Sequence, residues 1–457
     1  MKRVCKQRFF QFLLDAPPAW SYNATMVDET LLGGMSADRG LRYLFLDLNA
    51  YFASVEQQEH PEFRGKPIAV VPVMADTSFI IAASYEAKRF GIRTGTMIGE
   101  AKRLCPDLIL TKGNHPMYGS YHRRVLDAVE SVLPIEAVCS IDEMRCRLIG
   151  EEREPARALQ IAKKMKRTIK EQVGECMSCS VGVAPNPFLA KLGTELQKPD
   201  GLVIIRAEDL PDKLHALKLT DFTGINKRMQ IRLNAAGIFT AQQLCSADRL
   251  HLHEAFGSIV GEEWWYLLRG FDLPGKGTHT KTLGHSHVLK PSLRTDAGVR
   301  EVLIRLVQKA AARLRQENLF AGGLVVAVTG FEKSWKVTLP LSPTQDSVKF
   351  SEALLKAWES RDFRRPRGAA VTFYDLRPPA AVTPSLFDTA EDRSALNHAV
   401  DDLNQRYGKN TVFIAAMQNA KDAAEERIAF NKTWLFSEGK GDNEYIDTFR
   451  GVPRTKT

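Results

Sequence analysis

Three acidic residues stand where acid is costly. Asp47 interrupts the apolar run from Phe45 to Phe52, and Asp142-Glu143 interrupts a second run between Ala137 and Ile149. A carboxylate in apolar surroundings is expensive unless it is paired or binds a metal, so each acid is either a solvated strand end or a ligand. If the two runs are neighbouring strands, three carboxylates meet at one edge and repel unless cations hold them. Oxygen-only ligation suits magnesium, which keeps water and substrate phosphate as its remaining ligands. Two such ions about 3.5 to 4 Å apart would activate a hydroxyl and stabilise a departing pyrophosphate, which is nucleotidyl transfer. Asp47 by itself reads as a strand end; three acids with basic residues nearby favour the ligand reading.

The elements that would position these acids follow from periodicity. Tyr43 to Leu48, Pro67 to Val73, Ser78 to Ala83, Ala137 to Ile149 and Ser178 to Ala184 are β-prone runs. Helical spacing separates them at Val55 onward, Glu86 to Phe90, Ile98 to Leu104, Tyr118 to Leu133, Pro155 to Val173 and Asn186 to Gln197. This alternation predicts an α/β layer that ends near Lys198-Pro199-Asp200-Gly201. Leu217 to Leu268 reads as short helices, the first two flanking Thr223-Gly224-Ile225-Asn226, and Gly270 to His287 reads as a linker. Ser292 to Asn318 and Val348 to Trp358 are helical, whereas Gly323 to Gly330, Trp335 to Leu341 and Ala369 to Leu376 are strands, which predicts a small α+β domain. Residues 1–40 receive no fold, and the acidic tail from Ala381 is expected to be ordered only in part.

Composition narrows the class. A chain of 457 residues, 44% hydrophobic and 26% charged, exceeds one core and predicts three or four domains. Seven scattered cysteines argue against a disulfide framework and for a reducing cytoplasm, and Cys176-Met-Ser-Cys179 lacks a second pair for zinc. No run reaches the roughly 20 apolar residues of a membrane span. The net charge of +9 is uneven: residues 286–380 hold 16 Lys and Arg against 9 Asp and Glu, and residues 381–457 hold 10 against 12. Such a basic segment suits phosphate binding, with a solvated basic face as the plain alternative.

Four stretches together carry a resemblance. Asp47-Leu-Asn-Ala-Tyr-Phe52-Ala-Ser-Val-Glu56, Tyr85-Glu-Ala-Lys-Arg-Phe-Gly91, Ser140-Ile-Asp-Glu143 and Val181 to Lys191 occur in the order and spacing of the Y-family translesion DNA polymerases. The resemblance runs from about Leu41 to Leu376. It implies an α+β multidomain right hand: a ferredoxin-like palm (41–50 and 115–198), small fingers (51–114), a helical thumb (199–270), a linker (271–285) and a little finger (286–380). The tail would span 381–457.

The resemblance implies a role for each of the following positions. Asp47, Asp142 and Glu143, with the Leu48 carbonyl, would ligate two magnesium ions. Phe52 would be the steric gate, a ring that excludes a 2′-hydroxyl by clash; a core phenylalanine is the commoner role. Tyr85, Lys88, Arg89 and Lys191 would hold the triphosphate. The family commonly has Arg at the position of Lys88, and a lysine cannot grip two oxygens in a planar fork. Ile81 to Ser84 would cover the nascent base pair with short side chains, leaving a roomy pocket. Gly224, Ile225, Asn226 and Lys227 resemble a helix-hairpin-helix that binds DNA phosphate. Asn226 replaces its usual third Gly and tolerates left-handed backbone.

Other positions depart from the family pattern. Arg145 and Arg147 follow Glu143, where they could pair with the carboxylates or contact primer phosphates, and Asn49 replaces a frequent acid. Leu386 and Phe387 resemble a sliding-clamp peptide without its leading Gln, and a loop packing on its own domain is the alternative. The expected protein is therefore a low-fidelity, DNA-templated DNA polymerase acting as a monomer on primed template DNA with deoxynucleoside triphosphates. It would be cytoplasmic and nucleoid-associated, without a membrane partner. The alternative is a catalytically inactive accessory scaffold, disfavoured because all three acids are present; a palm-fold cyclase would need no basic clamp.

Overall fold

The computed structural model describes residues 39–274, 281–383 and 393–423. Its first strand, β1 (Tyr43–Leu48), alternates in the way a sheet with both faces covered requires. Leu44, Leu46 and Leu48 enter the main core, and Tyr43, Phe45 and Asp47 point to the other face. Helix α1 (Tyr51–Glu59) follows directly, after Ala50 turns the chain at φ 49°. Strands β2 (Ile68–Val71) and β3 (Ala82–Ala83), helices α2 (Tyr85–Arg89) and α3 (Ile98–Leu104), and strand β4 (Ile109–Lys112) come next. They build a three-stranded sheet in the order β3-β2-β4 with its own small core around Val71, Ile80 and Ile98. The apolar run from Ser78 contributes only Ala82–Ala83 to that sheet.

Helix α4 (His115–Glu130), capped by Asn114, leads to β5 (Ile135–Val138) and β6 (Glu143–Arg147). The single strand region expected across Ala137 to Ile149 is therefore a hairpin, because Val138 pairs with Met144 and the backbone reverses through Cys139 to Asp142. Helix α5 (Pro155–Gln172), strand β7 (Cys179–Ala184), helix α6 (Pro187–Leu196) and strand β8 (Leu202–Ile204) complete a five-stranded sheet in the order β5-β6-β1-β7-β8. Strand β8 runs parallel to β7, so this sheet continues past the boundary expected at residue 198. The face bearing Leu44 and Leu46 buries Ala158, Met165 and Ile169 of α5 and Tyr118 and Val125 of α4.

Residues Arg206–Gly275 lie in a separate compact unit. It contains α7 (Asp212–His215), α8 (Lys227–Ala235), α9 (Ala241–Ser246), α10 (Arg249–Phe256) and α11 (Val260–Leu267). Gly224 takes the left-handed turn at φ 105°, with the Trp264 ring 3.2 Å from where a Cβ would lie. Asn226 is extended, not left-handed as the sequence allowed, because Gly224 has already made the turn; its side chain caps α8 by accepting from Met229 N at 2.9 Å.

The C-terminal portion is a four-stranded antiparallel sheet. Its elements are β9 (Thr282–Val288), α12 (Asp296–Gln316), β10 (Phe320–Lys333), β11 (Trp335–Thr344), α13 (Ser347–Trp358) and β12 (Arg364–Arg377), with strand order β11-β10-β12-β9. Helices α12 and α13 cover one face through Val302, Leu306, Phe350 and Leu354, as the pattern predicted. Strand β9 starts inside the stretch expected to be linker, because Thr282 already pairs with Tyr374.

Part of the expected tail is folded onto this domain. Helix α14 (Ser394–Tyr407) is held by its polar side, where Arg315 donates to both oxygens of Asp401 at 2.6 and 2.9 Å. Leu396 and Tyr407 remain 60% and 61% exposed, while Met417 and Ala420 join the core. Leu386 and Phe387 lie outside the described residues.

Candidate active site

Strand pairing brings the acids together. β1 runs antiparallel to β6 with Asp47 opposite Glu143, so both side chains rise from the same face, and Leu48 N donates to Asp142 O at 2.8 Å. On the other flank Asp47 faces Ser180 of β7. The Leu48 side chain turns into the core.

A helix packed unusually close supplies the counter-charges. A Cβ at Gly182 of β7 would fall 2.0 Å from Ala190 O, so only glycine lets α6 descend onto the strand. That descent brings Lys191 Nζ into ion pairs with Asp47 Oδ2, with Glu143 Oε1 at 3.0 Å and with Glu195 Oε1 at 2.8 Å. Just beyond α6, Lys198 Nζ reaches Asp47 Oδ1 and Glu195 Oε1, each at 2.8 Å. Sequence reasoning missed Lys198, whose only signal was a lysine one turn after Glu195 at a segment taken for a domain boundary.

The electrostatics follow from this crowding. Burial raises the Asp142 carboxyl above its usual range, opposed by a 2.6 Å hydrogen bond from Ser140 Oγ and reinforced by Asp47. Burial also raises Glu143, against the pull of Lys191 and with the push of Asp47 and Asp142. Burial alone would lower Lys191, but Asp47, Glu143 and Glu195 overcome it and hold the ammonium well above its ordinary value. All candidate ligands are oxygen atoms, which fits magnesium better than a soft metal. Among the described residues no three His, Cys, Asp or Glu side chains are already gathered round one ion position. Between Asp47 and Glu143 lies the Lys191 ammonium, a monovalent stand-in for the charge those carboxylates need.

Tyr85 and Lys88 flank this centre. Tyr85 OH is 3.4 Å from Asn49 Oδ1, and burial, then Asp47 and Glu195, push its pKa up to about 12. Lys88 Nζ lies 4.1 Å from the Tyr85 ring centroid, and burial together with Lys198 lowers its pKa. Arg89, next along α2, is exposed, and no hydrogen bond or ion pair described for it joins this group. Asn49 is buried and accepts from Ser180 Oγ at 3.0 Å, so the amide takes the place of a further charge.

Phe52 is 4% exposed and stacks on Tyr118 with centroids 4.3 Å apart. The same two helices are joined where Tyr118 OH donates to buried Glu56 at 2.5 Å and Tyr51 OH to Tyr118 O at 2.6 Å. Behind the acids, His122 Nδ1 lies 2.7 Å from Ile141 O, and burial lowers this imidazole to about 4, so the neutral ring donates to that carbonyl.

Residues 46–195 match the impB/mucB/samB family, and residues 280–386 match the impB/mucB/samB family C-terminal domain. A DNA polymerase IV of Moorella thermoacetica is 31% identical over 379 residues, covering 81% of this chain and 94% of that protein. A DNA polymerase IV of Bacteroides fragilis is 30% identical over 315 residues, covering 68% and 85%. A solved Y-family DNA polymerase chimera superposes with a TM-score of 0.62 at 23% identity, over 74% of this chain and 99% of that one, and so shares the fold. Among the described residues no helix is long and apolar enough to cross a membrane.

Proposed function

The chain belongs to the Y family of DNA-directed DNA polymerases, and from that premise we propose that it extends primers past damaged template bases by magnesium-assisted nucleotidyl transfer at Asp47, Asp142 and Glu143. The observation that carries this reading is the register of β1 against β6, which sets Asp47 across from Glu143 with Asp142 beside it. Two magnesium ions held by these carboxylates and the Leu48 carbonyl would lower the pKa of the primer 3′-hydroxyl and offset charge on the leaving pyrophosphate. Lys191 and Lys198 then exchange carboxylate partners for phosphate oxygens, and Tyr85 and Lys88 add a hydroxyl donor and a further cation on the same side. Phe52 would underlie the sugar, its ring fixed by the stack on Tyr118.

DNA binding is supported by the exposed face of the C-terminal sheet. Register sets Gly284, Ser286, Ala370, Thr372, Ala327 and Thr329 opposite the helices, a surface of short side chains rimmed by exposed Lys290, Lys336, Arg364 and Arg367. Such a face permits close approach to a phosphate backbone, with affinity that falls steeply as salt rises. The turn at Gly224 and the start of α8 would add phosphate contacts. We further infer a monomer acting on primed chromosomal DNA, with Leu386 and Phe387, by their sequence, as a clamp contact. Primer extension with magnesium and deoxynucleoside triphosphates, on damaged and undamaged templates, tests the reading. Extension is expected from the wild type and none from Asp142→Ala/Glu143→Ala; extension by that variant would refute it.

A further inference from the structure

The sheet that holds the carboxylates also presents two guanidinium groups which the chemistry above leaves unused. Register sets Arg145 opposite Phe45 and Arg147 opposite Tyr43, hence on the face of Asp47 and Glu143. They stand two and four residues along β6 from Glu143, about 7 and 14 Å by strand rise. The described contacts pair them with Glu136 of β5 rather than with the acidic centre. Arg145 Nε donates to Glu136 Oε2 at 2.8 Å, and Arg147 Nη1 reaches Glu136 Oε1 at 3.4 Å and the Tyr43 hydroxyl at 2.9 Å. Both guanidinium carbons lie near one ring, 5.9 and 5.3 Å from the Tyr43 centroid. The arginine side chains are 35% and 47% exposed. Structural salt bridges to Glu136 account for part of this geometry, and the guanidinium groups stay open to solvent on the face of the acids.

We infer that Arg145 and Arg147 hold successive phosphates of the primer strand behind its 3′ end, which rests on the polymerase reading. Lys191 and Lys198, on and just after α6, and Tyr85 and Lys88 of α2 converge on Asp47 from one flank, whereas both arginines lie along β6 towards β5. In phosphoryl transfer the attacking and leaving oxygens lie roughly in line on opposite sides of phosphorus. A triphosphate on the first flank is therefore met by a primer arriving over the second. Arginine forks suit phosphate, and a two-residue strand interval of about 7 Å gives each fork its own phosphate.

The test uses primers with a single neutral methylphosphonate linkage, moved one position at a time through the last few linkages, bound to wild-type protein and to Arg145→Ala/Arg147→Ala. The wild type is expected to lose affinity at one or two adjacent linkages. The variant should bind the unmodified primer about tenfold more weakly, ignore the neutral linkages, and show a log–log salt slope shallower by about 1.8. Equal linkage profiles or equal slopes in the two proteins would overturn the inference. Should the double variant fail to fold, Glu136→Gln, which removes the carboxylate that both guanidinium groups share, must tighten primer binding; unchanged affinity would count against the inference. Absence of extension by the wild type on an unmodified primer would instead sink the polymerase reading.

Discussion

Replacing Lys191 by glutamine removes an ammonium group that touches Asp47, Glu143 and Glu195 together. The lysine side chain is 12% exposed and that of Asp47 7%, so water screens little of the loss. Taking one partner from a buried pair costs about 3 to 5 kcal/mol where the charge left behind is uncompensated. That is an upper bound here, because Lys198 stays on Asp47 and Glu195 and the loss falls on Glu143. At about 2 to 4 °C per kcal/mol for a body of this size, the melting temperature in EDTA should fall measurably, by at most roughly 20 °C. Magnesium should then restore more in the variant than it adds to the wild type, where binding must first displace the ammonium. At a hundredfold excess over Kd the available gain is about 2.7 kcal/mol. Loss of the proposed charge-assisted contact to the triphosphate, about 1.5 to 3 kcal/mol, should lower kcat/KM for nucleotide roughly 10- to 150-fold. Scanning calorimetry with and without magnesium, beside single-nucleotide kinetics, checks both halves. An unchanged melting temperature in EDTA together with an equal magnesium shift would refute the reasoning.

Three further outcomes are expected. Phe52→Val, chosen because full truncation would open a larger cavity beside Tyr118, should raise ribonucleotide incorporation relative to deoxyribonucleotide; unchanged sugar discrimination would remove the gate assignment. Asp142 and Glu143 have folded pKa values above their unfolded ones, so their ionisation disfavours folding. Metal-free stability should fall as pH rises from about 4 through those raised values, and Asp142→Asn/Glu143→Gln should lack that decline when melting is followed in EDTA. Asn226→Ala should cost about 1 kcal/mol through loss of the cap. Gly224→Ala, at φ 105° and tight against Trp264, should cost more, as urea titration of the two variants would show.

Legibility in the sequence followed how local each signal was. Asp47 and Asp142-Glu143 stood out because acid inside an apolar run breaks a pattern. Their meeting required only that two strands be neighbours, as β1 and β6 are. The β5 to β6 hairpin was read as one strand because Ser140 and Asp142, both turn formers, stood out as an acidic interruption of an apolar run rather than as a reversal. Lys198 was hidden because its reach to Asp47 depends on where the chain goes after α6, not on its neighbours. The docking of α14 was hidden for the opposite reason: an amphipathic pattern assigns the apolar side to the core, and this helix is tied by the Arg315–Asp401 pair on its polar side. The arginines after Glu143 were visible, but their shared partner Glu136 belongs to the strand that the hairpin had concealed.

The pairing of β1 with β6 has a consequence for how faulty copies of this enzyme behave. Side chains alternate along a strand, so sliding β1 by one residue would swing Asp47 into the layer now filled by Leu44, Leu46 and Leu48, and carry those leucines out to water. The slipped form would bury a naked charge and forfeit much of its oily interior at once. A well-folded isomer with these acids scattered is thus not a neighbouring state: whatever holds the sheet together also aligns the carboxylates proposed to bind metal.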